Sequence, residues 1–235
     1  QSLGLVSGDR VAIMLPNVLQ YPIAVAAVLR AGFVVVNINP LYTARELAHA
    51  LNDSGAETII VMETFAKTLQ DAMPGTKLKR IVLTQIGDLL SDGVINAKGR
   101  LLNFVLRRVQ KMVPEYSLPN ARWMRDVLKE GGKVKFKPVD VRADDLGFLQ
   151  YTGGTTGVSK GAVLLHSNVI ANVLQSEAWN APVMKRIPAG EQPTSVCALP
   201  LYHIFAFTVN MMLGLRTGGK TILIPNPRDL PAVLK

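Results

Sequence analysis

The chain has 235 residues, 49% of them hydrophobic and 18% charged, which is enough to bury a substantial core. It contains no run of about 18 apolar residues, which excludes a membrane-spanning helix, and its single cysteine, Cys197, excludes a disulfide framework. The net charge of +9 is concentrated: residues 98–137 carry 11 basic and 3 acidic side chains, against 7 and 8 in residues 1–97 and 8 and 6 in residues 138–235.

A lone cysteine, and an amino terminus without a basic stretch followed by an apolar core, point to a reducing compartment, with cytoplasm as the expected location. Residues 10–15 read as a strand, and the run Ala24-Val25-Ala26-Ala27-Val28-Leu29 as a helix stopped by Gly32. Residues 33–38 predict a second strand, ended by Asn39-Pro40. Thr43 and Glu46 have the Thr-x-x-Glu spacing of a capping box, which opens a helix running to about Ser54, with Gly55 as its stop. A third strand is expected over 58–62, a short helix from Thr64 and a fourth strand over 80–84. Strands that alternate with helices imply βαβ units and a parallel sheet covered on both faces, which explains the near-continuous apolar runs.

The basic block starts after Gly87. Between Lys98 and Val113 the apolar residues Leu101, Leu102, Val105, Leu106, Val109 and Met112 recur at helical spacing. Lys98, Arg100, Arg107, Arg108 and Lys111 occupy the other faces, the profile of a basic amphipathic helix suited to an anionic membrane surface. A helix packed on its domain with a solvated basic face has the same profile. No DNA- or RNA-binding motif accompanies the charge, so nucleic acid is not expected as a partner. Residues 114–119 read as a linker, and Gly131-Gly132 with Lys133, Lys135 and Lys137 as an exposed loop.

Residues 146–151 and 162–165 are apolar runs, and between them lies Tyr151-Thr152-Gly153-Gly154-Thr155-Thr156-Gly157-Val158-Ser159-Lys160-Gly161. Glycines let the backbone approach a ligand closely, and successive N–H groups in such a turn can surround an anion. The hydroxyls of Thr152, Thr155, Thr156 and Ser159 can donate to phosphate or ligate Mg²⁺, and Lys160 adds a mobile positive charge. The stretch suits a polyphosphate. It does not match the Walker pattern, because Ser159 precedes and Gly161 follows the lysine, and the glycine spacing does not match the dinucleotide pattern.

Ser167-Asn168 can cap a helix running to about Trp179, and His166 at that junction reads as a capping or packing residue. Residues 194–199 read as a buried strand, ending in Pro200-Leu201-Tyr202-His203-Ile204-Phe205-Ala206-Phe207. A polar histidine and aromatics at the carboxyl end of a strand lie where ligands bind in open α/β sheets. Met211, Met212, Leu213 and Leu215 continue as an apolar helix closed by Gly218-Gly219, and residues 220–224 form a last strand.

The glycine- and threonine-rich loop resembles the phosphate loop of the adenylate-forming enzymes (acyl-CoA synthetases, firefly luciferase and their relatives). The order Leu15-Pro16-Asn17, Arg30-Ala31-Gly32, Asn39-Pro40-Leu41-Tyr42 and Leu51-Asn52-Asp53-Ser54-Gly55-Ala56 is similar to acyl-CoA synthetases, and Leu199-Pro200-Leu201-Tyr202-His203-Ile204-Phe205 to the long-chain fatty acyl group. Ser159 stands where the family usually has proline. The resemblance implies the N-terminal portion of an ATP-dependent long-chain fatty acid–CoA ligase, with ATP, Mg²⁺ and CoA as its reactants and cofactors and a homodimer as the complete enzyme. It also implies metal contact by Thr152, phosphate binding by residues 151–161, catalytic roles for Lys160 and His203, and an acyl-tunnel gate at Phe207.

The expected organisation is a first α/β subdomain over 1–97, a basic helix and linker insertion over 98–143, and a phosphate-loop subdomain over 144–235. The family's C-terminal lid domain has no counterpart here, so the 235 residues alone are expected to be inactive. Two other readings remain: a stand-alone nucleotide- or membrane-binding domain, and a ligase for aryl or medium-chain acids.

Overall fold

The computed structural model describes residues 3–90, 97–152, 159–188 and 190–228. Seven strands form one sheet: β1 (Arg10–Met14), β2 (Val34–Asn37), β3 (Thr58–Met62), β4 (Arg80–Thr84), β5 (Ala121–Trp123), β6 (Leu146–Thr152) and β7 (Lys160–Leu165). Their order is β5-β4-β3-β1-β2-β6-β7, parallel throughout except for the antiparallel β6–β7 pair. Both faces are covered, so the central strands are buried along almost their whole length. The sheet takes strands from all three segments of the chain.

On one face lie α1 (Gln20–Arg30) and α6 (His166–Met184), closing a core that includes Ile13, Leu15, Tyr21, Val25, Phe148 and Phe207. On the other lie α2 (Ala44–Ser54) and α3 (Ala66–Ala72), over Met14, Val36, Ile59, Val61 and Leu83. The capping box expected at α2 is present: the Thr43 hydroxyl accepts from the Glu46 N–H, and the Glu46 carboxylate accepts from the Thr43 N–H at 2.8 Å. Gly55 closes α2 in the left-handed conformation, φ +68°.

The basic segment departs from its expected form. Helix α4 (Ala97–Phe104) passes into one π-helical turn, Val105–Val109, and Lys111, at φ +51°, ends it in the left-handed region. The wider turn brings Arg107 to the carboxylate of Glu63, whose side chain is 3% exposed and also accepts from the Tyr116 hydroxyl and the Gln85 amide. The apolar stripe is only partly used: Leu102, Val105 and Leu106 are half-buried, while Leu101, Phe104, Val109 and Met112 are exposed. Gly87 sets how closely α4 docks, since a Cβ there would lie 2.3 Å from the Gly99 carbonyl oxygen. Gly87→Ala is expected to cost about 1–3 kcal/mol through this overpacking, measured by urea unfolding.

Further differences concern the rest of the chain. Residues 114–119, expected as a linker, are irregular; beyond them β5 pairs with β4, and α5 (Met124–Gly131) follows it and takes in Gly131 of the expected loop. The strand expected to be buried at 194–199 is β8 (Thr194–Cys197), which pairs in parallel with β9 (Lys220–Leu223) as a separate two-stranded sheet; Thr194 and Val196 are exposed, Ser195 is half-buried and only Cys197 of the four is buried. Helix α6 continues past the expected end near Trp179 to Met184, with Pro182 inside its last turn. The apolar helix expected around 211–215 is a single turn, α7 (Ile204–Ala206), running through a π-helical stretch, Phe207–Met212, into α8 (Leu213–Thr217).

Candidate active site

The carboxyl ends of the parallel strands carry the residues singled out from the sequence, where open α/β sheets bind ligands. Gly153, Gly154, Thr155, Thr156, Gly157 and Val158 lie outside the described residues. The two strands that flank them form a hairpin whose register sets Thr152 directly opposite Lys160 and Tyr151 opposite Gly161. Directly opposed residues have Cβ atoms about 5 Å apart on the same face, so the Thr152 hydroxyl and the Lys160 ammonium share one exposed end of the hairpin. Thr152, Lys160 and Gly161, expected as loop, are therefore strand residues, and Tyr151 lies in the strand that its apolar run predicts.

Helix α2 holds this hairpin. His49 donates from Nε2 to the Ser159 carbonyl at 2.9 Å, and one turn later Asp53 accepts from the Tyr151 hydroxyl at 2.6 Å. Burial, reinforced by the Asp53 carboxylate, pushes the Tyr151 phenol above its usual range and keeps it a donor. The Tyr151 ring lies over Gly161, where a Cβ would come within 3.1 Å of it. His49 and Asp53 were not singled out from the sequence; their spacing of one helical turn was the available signal.

The segment preceding His203 is held by side chains from far away in sequence. Asn17, buried after β1, donates to the Cys197 carbonyl at 3.0 Å and the Leu199 carbonyl at 2.9 Å, and accepts from the Leu201 N–H at 2.7 Å. Gln150 on β6 donates to the Tyr202 carbonyl at 2.8 Å. His203 caps α7, its Nδ1 accepting from the Phe205 N–H at 3.3 Å. A backbone N–H can only donate, so neutral His203 carries its proton on Nε2, and the side chain is exposed.

Phe207, expected at a gate, is a core side chain here: it is fully buried, edge-to-face on Phe148 with ring centroids 4.9 Å apart. The exposed aromatic of this turn is Phe205. His166 packs its ring against Gly147, in keeping with a packing role. Burial pushes the Cys197 thiol up to about 11, so it is an unreactive core group at neutral pH. An apolar groove of ≈ 620 Å³ between α1 and α5 lies over Val11, Thr58 and Phe33, at the amino ends of the strands, and is separate from this site.

Among the described residues no cluster of three His, Cys, Asp or Glu side chains could hold a metal ion. A magnesium ion fits only as one delivered with phosphate, since Mg²⁺ keeps several waters and takes one or two protein oxygens beside those of the nucleotide. Among the described residues, the exposed Thr152 hydroxyl is an oxygen this site offers.

Comparison with known proteins follows the same lines. A family model described as AMP-binding enzyme matches residues 1–235. The chain is 50% identical over 235 residues to the long-chain-fatty-acid–CoA ligase of Salmonella typhimurium strain LT2, covering 100% of this chain and 40% of that protein. Among solved structures, the anthranilate CoA ligase AuaEII in complex with anthranoyl-AMP superposes with a TM-score of 0.69 at 18% identity, over 99% of this chain and 38% of that one. A long-chain-fatty-acid-CoA ligase from Archaeoglobus fulgidus superposes with a TM-score of 0.63 at 24% identity, over 96% and 37%. These two likenesses show the fold. The chain spans about 40% of the length of the curated relatives it matches.

Proposed function

The chain belongs to the family of AMP-binding enzymes, and from that premise we propose that it is part of a ligase that uses ATP to couple a long-chain fatty acid to CoA. The observation that carries this reading is the juxtaposition of the Thr152–Lys160 hairpin end with the His203 turn, tied together by Gln150. The long-chain substrate is favoured by the 50% identity to the Salmonella ligase.

In the first half-reaction a carboxylate oxygen attacks the α-phosphorus of ATP and pyrophosphate leaves. Two anions must meet, so the barrier is mainly electrostatic, and donors already in place lower it. Lys160 supplies positive charge at the phosphates, and the Nε2–H of His203 supplies a donor for a carboxylate oxygen. Magnesium, when bound through Thr152 and the phosphates, would neutralise charge on the leaving group. In the second half-reaction the CoA sulfur attacks the acyl carbon and AMP leaves. A gate at Phe207 requires its ring to leave Phe148.

The test is acid-dependent exchange of labelled pyrophosphate into ATP by the full-length protein. A C16 acid is expected to exceed a C8 acid or benzoate by about tenfold or more in kcat/KM, the scale set by several buried methylenes. Faster exchange with benzoate or the C8 acid would move the assignment to an aryl- or medium-chain ligase. No exchange with any acid would favour a nucleotide-binding domain without catalysis.

We further propose that the basic segment rests on an anionic membrane surface, the inner face of the cytoplasmic membrane. Exposed Leu101, Phe104, Val109 and Met112 lie beside exposed Lys98, Arg100, Arg108 and Lys111, and each basic residue near such a surface contributes about 1 kcal/mol. Arg107 is excluded from this role by its pairing with Glu63. Replacing Lys98, Arg100, Arg108 and Lys111 by Gln is expected to lower binding to phosphatidylglycerol vesicles at least tenfold at low salt. Unchanged binding would leave the segment as a solvated helix.

A further inference from the structure

Resting on the ligase reading above, we infer that Gln150 is a positioning residue for His203, the last link of a buried side-chain relay that begins at Tyr21. The Tyr21 hydroxyl on α1 donates to Asn37 Oδ1 at 2.7 Å, Asn37 Nδ2 on β2 donates to Gln150 Oε1 at 2.9 Å, and Gln150 Nε2 on β6 donates to the Tyr202 carbonyl at 2.8 Å. The three side chains belong to residues 0%, 1% and 3% exposed.

The direction of every bond follows from the last one. A carbonyl only accepts, so Gln150 must turn its NH₂ to Tyr202 and its oxygen to Asn37. Asn37 must then present its own NH₂ to Gln150, which leaves its oxygen to the Tyr21 hydroxyl. Each amide has one permitted orientation, and all three donors point toward the residue before His203. Bonds aligned head to tail in an apolar interior polarise one another. Burial also holds the Tyr21 phenol well above its usual range, so the relay keeps its first proton.

Packing alone does not call for two amides here: Asn37 and Gln150 are paired neighbours on β2 and β6, and apolar side chains at both would fill the space but leave the Tyr21 hydroxyl and the Tyr202 carbonyl without these partners. What an apolar pair cannot supply is a donor to the Tyr202 carbonyl. Asn17 fixes the same segment from its other side, at residues 197, 199 and 201. With Nδ1 engaged by Phe205, the place of His203 Nε2 is set by the backbone these contacts hold. A small displacement of a reacting group costs catalysis steeply.

The experiment uses the full-length protein with Gln150→Met, which keeps the side-chain length and removes the donor, and Tyr21→Phe, which removes one oxygen at the far end. In pyrophosphate exchange, Gln150→Met is expected to lower kcat/KM for the fatty acid about tenfold with KM for ATP within about twofold, and Tyr21→Phe to shift it less in the same sense. The decisive measurement is a cycle with His203→Ala. If the relay acts through His203, Gln150→Met on that background costs less than about twofold. A full tenfold loss there, or an equal rise in KM for ATP, overturns the assignment and leaves Gln150 a packing residue. A second readout is independent of turnover: carbethoxylation of His203 by diethylpyrocarbonate, followed by peptide mass spectrometry. Gln150→Met is expected to speed it by about threefold or more as the cap loosens, and equal rates overturn the positioning role. If the parent protein shows no acid-dependent exchange, the ligase reading falls and the modification rates alone decide the positioning role. Where Gln150→Met does not fold, Tyr21→Phe carries the same measurements.

Discussion

Thr152→Ala in the full-length protein is expected to lower acid-dependent adenylation by about 10²-fold, the scale of one lost donor at a site of developing charge. Thioester formation from supplied acyl-AMP should stay within about threefold of the parent. The asymmetry follows from place: Thr152 stands opposite Lys160 where the strands turn into the glycine-rich stretch, and its side chain points to solvent and not into the core. In the proposed reaction only the first half-step would carry a polyphosphate past that hydroxyl. The melting temperature should be unchanged, which separates this effect from damage to the fold. Thr152→Ser should recover most of the rate, because it keeps the oxygen and loses a methyl. Equal losses in both half-reactions would place Thr152 outside phosphate chemistry.

Arg107→Leu is expected to destabilise the protein by about 2–3 kcal/mol, and Glu63 is the reason. Breaking a buried ion pair from one side leaves the other charge uncompensated, at about 3–5 kcal/mol. Here the arginine side chain is 45% exposed, which reduces the figure through solvent screening. Tyr116 and Gln85 continue to donate to the carboxylate, at 2.8 and 2.6 Å, but neither carries charge. Urea unfolding measures the loss, and Glu63→Gln combined with Arg107→Leu should restore part of it, since a neutral amide needs no counter-charge. An alkaline titration gives a second readout. Burial and then Glu63 push the Tyr116 phenol up to about 12 from 10.0. A phenol raised in the folded state ionises first in the unfolded chain, so its contribution is present below pH 10 and is lost as the pH climbs toward 12.

Much of the first half of the fold was legible in the sequence because its signals are local. Residues 58–62 form β3 at the expected bounds, and Thr43, Glu46 and Gly55 cap α2 as their spacing predicts. The second half carried weaker signals. Strand β5 is three residues long and contains Arg122, so within a basic block between prolines and glycines nothing marked it as a strand. Strand β8 has apolar residues but is mostly exposed, because only β9 pairs with it among the described residues. At the site, composition pointed to Thr152, Lys160 and His203, whereas the supports around them are long-range. Asn17 reaches residues 180 to 184 positions away, and Gln150 reaches Asn37 across 113. A polar residue inside each apolar strand, Asn37 in β2 and Gln150 in β6, was the only local trace of that network.

The strand order has a consequence for how the molecule is made. Strand β2 waits for β6 as its outer neighbour, with Val35 set against Phe148, so 113 residues separate the partners. At about 5–20 residues per second, a ribosome needs on the order of ten seconds to supply β6 once β2 has emerged. During that interval the valine-rich edge of β2 is open to any passing strand, its hydrogen-bonding groups unanswered. Pairings so distant in sequence also form slowly, since the long intervening loop must close before any contact repays it. The nascent chain is therefore most vulnerable to misassociation midway through synthesis, and slower translation between residues 37 and 146 would lengthen that exposure.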